Sequence, residues 1–167
     1  MPRCSLEKSL LTGIALAAVL SVPWSATASA EESGHWKGKA VLVITSAPTV
    51  KVADTADHTV SLTRFDGVVF SEGEKPFLDN ARYQAVDLFD SGGMVSGGYK
   101  TFTDGNGAKV FGKYTVTGGA QPTFNGEWTF IGGTDRYKGI TGNGTFVITF
   151  TSDTTAWDML EGEYRIP

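Results

Sequence analysis

Apolar and polar residues alternate along much of this chain with a period of two. His58-Thr59-Val60-Ser61-Leu62-Thr63 and Thr145-Phe146-Val147-Ile148-Thr149-Phe150-Thr151 show it most clearly, whereas Ala40-Val41-Leu42-Val43-Ile44-Thr45 is apolar almost throughout. A period of two sends successive side chains to opposite faces of a strand, one dry and one wet. Similar stretches rich in β-branched and aromatic residues predict strands at Gly67–Ser71, Arg82–Phe89, Gly98–Thr103, Ala108–Thr117, Phe124–Ile131 and Trp157–Ile166. Between them lie Ser91-Gly92-Gly93, Asp104-Gly105-Asn106-Gly107, Gly118-Gly119 and Ser152-Asp153-Thr154. Asp104–Gly107 is the strongest hairpin signal, because Asp, Asn and Gly tolerate the positive φ of tight strand connections.

The pattern predicts about eight or nine strands, and beyond residue 30 no helix of ~10 residues at 3.6 periodicity. A sheet with no helices to cover it must pack on a second sheet or close on itself, and closure alone removes the exposed edges. We therefore expect an all-β fold, a closed antiparallel up-and-down barrel of about eight strands spanning residues 38–167, with 31–37 as a short tail. An immunoglobulin-like sandwich is the runner-up. It lacks its Cys…Trp…Cys pattern here, and glycines inside predicted strands suit barrel corners better.

Residues 1–30 read differently. Arg3 and Lys8 precede an apolar run from Leu10 to Val22, and Ala28-Ser29-Ala30 stands before Glu31. These are the three parts of a secretory signal peptide, with cleavage expected after Ala30 and a secreted or periplasmic location. The run is broken at Pro23 and is shorter than the ~20 residues of a spanning helix, so no stable membrane insertion is expected after cleavage.

Composition narrows the function classes. The chain has 167 residues, 14 Lys+Arg against 18 Asp+Glu, and one cysteine. Loss of Arg3, Glu7 and Lys8 takes the net charge from −4 to −5, and no basic run remains, which argues against nucleic acid as a partner. The single cysteine, Cys4, leaves with the signal peptide, removing disulfides, thiolate nucleophiles and cysteine-bound zinc. His35 and His58 are the only histidines, no metal-ligand spacing occurs, and no metal or other cofactor is expected. Neither a serine elbow nor a glycine-rich loop before a helix is present.

The most informative segment runs from Phe124 to Phe146, with Gly132-Gly133-Thr134, then Asp135-Arg136-Tyr137, then Gly142-Asn143-Gly144-Thr145-Phe146. It resembles the strand, glycine corner and strand of the allene-oxide-cyclase-like and dirigent-like small barrels, a calycin type of fold, and specifically small exported bacterial members. The Tyr99–Phe111 hairpin and the terminal Trp157…Glu161-Gly162-Glu163-Tyr164 look similar too. The resemblance implies a cofactor-free barrel with an apolar lumen, open at one end, that holds a small lipophilic molecule. It also makes a homo-oligomer compatible with the chain, and it casts Tyr137 as a plug of one barrel end.

Phase arguments supply candidate residues. His58 runs in phase with Val60 and Leu62, which predicts an inward side chain near a barrel mouth, able to exchange a proton near neutrality. Tyr114 shares a face with Ala108, Val110 and Val116, so its hydroxyl enters the lumen. Trp128, Phe130, Phe146, Ile148 and Phe150 line or fill the same space. The last strand has two faces, Leu160, Tyr164 and Ile166 against Trp157, Met159, Glu161 and Glu163. If the second faces inward, Glu161 is a buried acid. Three readings stand side by side. The first is a cofactor-free binder that steers an isomerisation or cyclisation, with His58, Tyr114 and Glu161 as proton-handling groups. The others are a non-catalytic carrier of hydrophobic ligands and a packed barrel acting through its surface.

Overall fold

The computed structural model describes residues 31–73, 76–92 and 96–167, so the expected signal peptide, residues 1–30, lies outside the described residues. Among the described residues nine strands follow one another: β1 Glu32–Ser46, β2 Thr49–Lys51, β3 Thr59–Glu72, β4 Ala81–Asp90, β5 Gly97–Thr103, β6 Lys109–Ala120, β7 Thr123–Gly133, β8 Thr141–Phe150 and β9 Thr155–Ile166. A 3-10 turn, Asp135–Tyr137, joins β7 to β8. Every pairing is antiparallel, and the order β1-β9-β8-β7-β6-β5-β4-β3 closes on itself because β1 also pairs with β3. The short β2 continues along β3 where β1 leaves it after the irregularity at Ile44/Ser46. The fold is thus a closed eight-stranded antiparallel barrel with one added strand, and residues 32–37, expected as a tail, are the start of β1.

Apart from His58, which precedes it, the two segments 58–63 and 67–71 belong to one strand, β3, whose inward side chains are Ser61, Thr63, Phe65 and Val69. The phase expected for this strand is inverted. Leu62 is half exposed on the outer wall, and Val60 shares its parity. The reason is that apolar side chains occur on both faces of this barrel, since Val41, Val68, Phe70, Trp157 and Met159 also stand on the outside. Apolarity alone therefore does not orient β3.

One half of the barrel is solid. Trp36, Phe77, Phe102, Trp128, Phe130, Tyr137 and Tyr164 are all buried there. The Trp36 ring meets Phe77, Phe102 and Trp128 edge-on at 5.5–5.7 Å between centroids, and Phe77 stacks on Tyr164 at 3.9 Å. Edge-to-face contacts of this kind add to the apolar area that the rings withdraw from water. Tyr137, carried by the 3-10 turn, is buried at this end with its ring edge-on to Phe77. Room for the Trp128 indole comes from Gly144 and Gly162, which pair across β8 and β9; a Cβ on either would lie 2.6 Å from its Cζ2.

Candidate functional site

The other half of the barrel is hollow. A cavity of about 340 Å³ opens at the end where β3, β7 and β9 begin and β4, β6 and β8 finish. Its walls are Leu42, Ile44, Phe65, Ala85, Val116, Ile148 and Phe150; Ser61, Phe89, Gln121, Phe124, Ser152 and Asp153 also line it. A volume of this size lies at the low end of small-molecule sites.

Polar side chains converge deep in the cavity. Tyr83 and Asp87 come from β4, Lys100 from β5, Tyr114 from β6 and Asp158 from β9. Each reaches inward because it occupies the inward parity of its strand. Asp158 alternates with Leu160 and Tyr164, Lys100 with Phe102, and Asp87 with Ala85 and Tyr83. Lys100 Nζ lies 3.7 Å from Asp158 Oδ2, an ion pair too long for a hydrogen bond, with both side chains sealed from solvent. The Tyr83 hydroxyl donates to the same oxygen at 3.2 Å. Lys100 also faces the rings of Tyr114 and Phe146, with Nζ 4.7 and 5.0 Å from their centroids. Two carboxylate oxygens, Asp158 Oδ1 and Asp87 Oδ1, are buried without a hydrogen-bond partner.

Burial sets the proton affinities. It raises Asp158 and lowers Lys100, while the opposite charge of each works to keep the other ionised. It lifts the Asp87 carboxyl to about 7, with Lys100 opposing. Burial likewise drives the phenols of Tyr83 and Tyr114 well above their ordinary range, so both remain hydrogen-bond donors. Asp87 is therefore an acid that gains or loses a proton near neutrality, deep in the cavity, beside two phenol donors and an ammonium.

The residues singled out from sequence separate into three groups. Tyr114, Ile148 and Phe150 line the cavity. Trp128, Phe130 and Phe146 are buried among the barrel-filling side chains and do not line it. His58 and Glu161 stand apart. His58 precedes β3 and sits outside the lumen lining, with Nδ1 2.7 Å from Asp54 Oδ1 and Nε2 2.7 Å from Asp90 Oδ1. Two carboxylates on the two ring nitrogens raise its pKa. Glu161 is on the outer wall, where it pairs with Lys37 at 3.0 Å and His35 at 3.1 Å. The apolar parity of β9 is not the reason; Trp157 and Met159 share the outer face with Glu161, the former under Lys39 Nζ at 4.2 Å.

The groups that sequence reading passed over are Tyr83, Asp87, Lys100 and Asp158. Their signal was a charged or phenolic residue at the inward parity of a strand, in step with Phe102, Leu160 or Ala85. Among the described residues, no three His, Cys, Asp or Glu side chains group as metal ligands do.

No protein-family model matches the chain, and no curated protein matches it in sequence. In structure it is similar to the pterocarpan synthase dirigent protein GePTS1, with a TM-score of 0.51 at 15% identity, covering 84% of this chain and 88% of that one. The pterocarpan synthase dirigent protein PsPTS1 aligns with a TM-score of 0.45 at 15% identity, covering 81% and 95%. The closed eight-stranded barrel described here is thus the fold of a dirigent protein.

Proposed function

We propose that this is an exported barrel that takes a small lipophilic molecule into the open half of its lumen and steers an isomerisation or ring closure there, using side chains alone. The observation that carries the reading is the pairing of a hollow, apolar-walled cavity with a buried polar floor. A barrel working only through its surface gains nothing from burying the Asp87 and Asp158 carboxylates at the floor of such a cavity, because withdrawing a charge from bulk water is costly. Restraint is the main device: rigid walls hold a flexible molecule near one reactive shape, and that alone removes much of the entropic part of a barrier. Asp87 exchanges the proton that the rearrangement moves, and the Tyr114 hydroxyl orients the reacting oxygen or nitrogen. The name of GePTS1 assigns that protein to pterocarpan synthesis, and the shared fold makes steering of a small-molecule reaction the natural class for this lumen.

Native mass spectrometry of the protein purified from its own host tests the reading. A co-purified small molecule, absent from a variant with the cavity filled by Ala85→Trp, is the expected result. An empty lumen in both would count against any ligand. Recovery of one compound that the protein never converts would turn the reading from catalysis to carriage.

A further inference from the structure

We propose that the lumen selects a lipophilic cation, a primary or secondary ammonium compound whose nitrogen docks at the buried Asp87 carboxylate and whose apolar body fills the cavity beyond it. This rests on the lumen being a binding site and names the chemistry it prefers.

Charge balance is the first argument. The formally charged side chains that line the cavity are Asp87, Asp153, Asp158 and Lys100, and Lys100 already faces Asp158 at 3.7 Å. That single cation is shared between two buried carboxylates, Asp158 and Asp87, and Asp153 adds a further negative charge to the lining. An anionic ligand would add charge of the sign already in excess.

Unmet hydrogen-bond capacity is the second. Asp158 is 2% exposed and its Oδ1 has no partner, and the Asp87 Oδ1 is likewise buried and alone. An ionised carboxylate only accepts, so a group that partners either oxygen must donate. A hydroxyl offers one proton. An ammonium offers two or three and brings the opposite charge, which makes each bond shorter and stronger.

The third argument is the aromatic lining. The rings of Tyr83, Tyr114 and Phe146 already take the Lys100 ammonium at 4.7–5.5 Å, so this part of the barrel holds cations against π faces. Phe65, Phe124 and Phe150 carry the same character into the cavity walls.

A pH dependence follows. The titratable groups facing Asp87 are Lys100 on β5, Tyr114 on β6 and Tyr83 on its own strand, with Asp158 beyond Lys100 on β9. Asp87 changes charge near neutrality, at about 7. A cation requires its ionised form, so affinity rises with pH across that value.

Calorimetric titration with tryptamine, tryptophol and indolepropionate compares one indole body carrying an ammonium, a hydroxyl or a carboxylate. Tryptamine stays protonated over the range used, as alkylamines do. At pH 8 it is expected to bind about tenfold or more tightly than tryptophol, and indolepropionate weakest of the three. Its Kd should fall about tenfold from pH 6 to pH 8, because only the ionised fraction of Asp87 is competent. Asp87→Asn should remove that pH dependence, and the wild-type profile carries the test if the variant does not fold. Tryptophol or indolepropionate binding as tightly as tryptamine would overturn the cation and leave the binding site standing. Failure of all three to bind would bring down the site together with the cation.

Discussion

Lys100 Nζ and Asp158 Oδ2 face each other at 3.7 Å across the barrel interior, from strands β5 and β9 that share no edge. Two charges so deeply buried hold each other in place, and removing one leaves the other uncompensated in a dry environment. Lys100→Met should therefore destabilise the fold by about 3–5 kcal/mol in urea unfolding at pH 7, while adding Asp158→Leu should restore most of that loss. A single variant as stable as its parent would show that the pair is not ionised in the native state.

Asp87 makes stability fall with rising pH. Its carboxyl titrates at about 7 in the fold and near 3.8 when free, so between those values the native state holds more protons than the unfolded one. Stability declines from about pH 4 to about pH 7 and levels off above. Asp87→Asn is expected to match its parent at pH 4 and to exceed it at pH 8 by roughly 1–3 kcal/mol. Denaturation curves at the two pH values check it, and a variant less stable at pH 8 would contradict the burial argument.

His58 acts in the opposite sense. Asp54 and Asp90 bind its two nitrogens, an arrangement satisfied by the imidazolium, and they raise its pKa above 6.5. The stability it contributes is complete below pH 6.5 and is lost as pH rises through the raised value. The same carboxylates are held below their ordinary range, so their share is present at neutral pH and lost in acid. NMR titration of the imidazole should give a midpoint above 6.5 that drops on Asp90→Asn. A midpoint at or below 6.5 would mean that the clasp is open in solution.

Gly162 and Gly144 leave the space that Trp128 fills. A methyl at Gly162 would lie 2.6 Å from the indole and 2.3 Å from the Asn143 carbonyl oxygen, so neither a side chain nor the backbone can absorb it alone. Gly162→Ala should cost about 1–3 kcal/mol, the usual range for overpacking. Thermal unfolding measures this, and an unchanged midpoint would show that β8 and β9 separate easily there.

Cleavage after Ala30 would leave Glu31 as the first residue, and the fold ties that end down at once. Glu31 pairs with Arg165 at 2.7 Å, and Glu32 accepts a hydrogen bond from the Tyr164 hydroxyl at 2.9 Å. N-terminal sequencing of exported protein should read Glu31-Glu32-Ser33. Exported material that retains Met1 would refute the signal peptide.

Period-two alternation, turn chemistry and the absence of long helical patterns were enough to determine an all-β fold, to favour a closed barrel over a sandwich, and to give the span of most strands and the inward parity of β6, β7 and β8. Tyr114, Trp128, Phe130, Phe146, Ile148 and Phe150 all point inward on that basis. Alternation did not orient β3 or β9, because this barrel wears Leu62, Trp157 and Met159 on its outer wall and hides Thr63 and Asp158 inside. Only the tertiary structure decided where the lumen is solid and where it is hollow. That depends on which inward side chains meet across the barrel, which strand stagger and closure set and no local pattern records. Lys100 and Asp158 are 58 residues apart and on strands that do not pair, so nothing along the chain announces that one neutralises the other. A charge within a strand belongs by default to the wet face. It takes the closed sheet to reveal that these charges face the barrel interior instead.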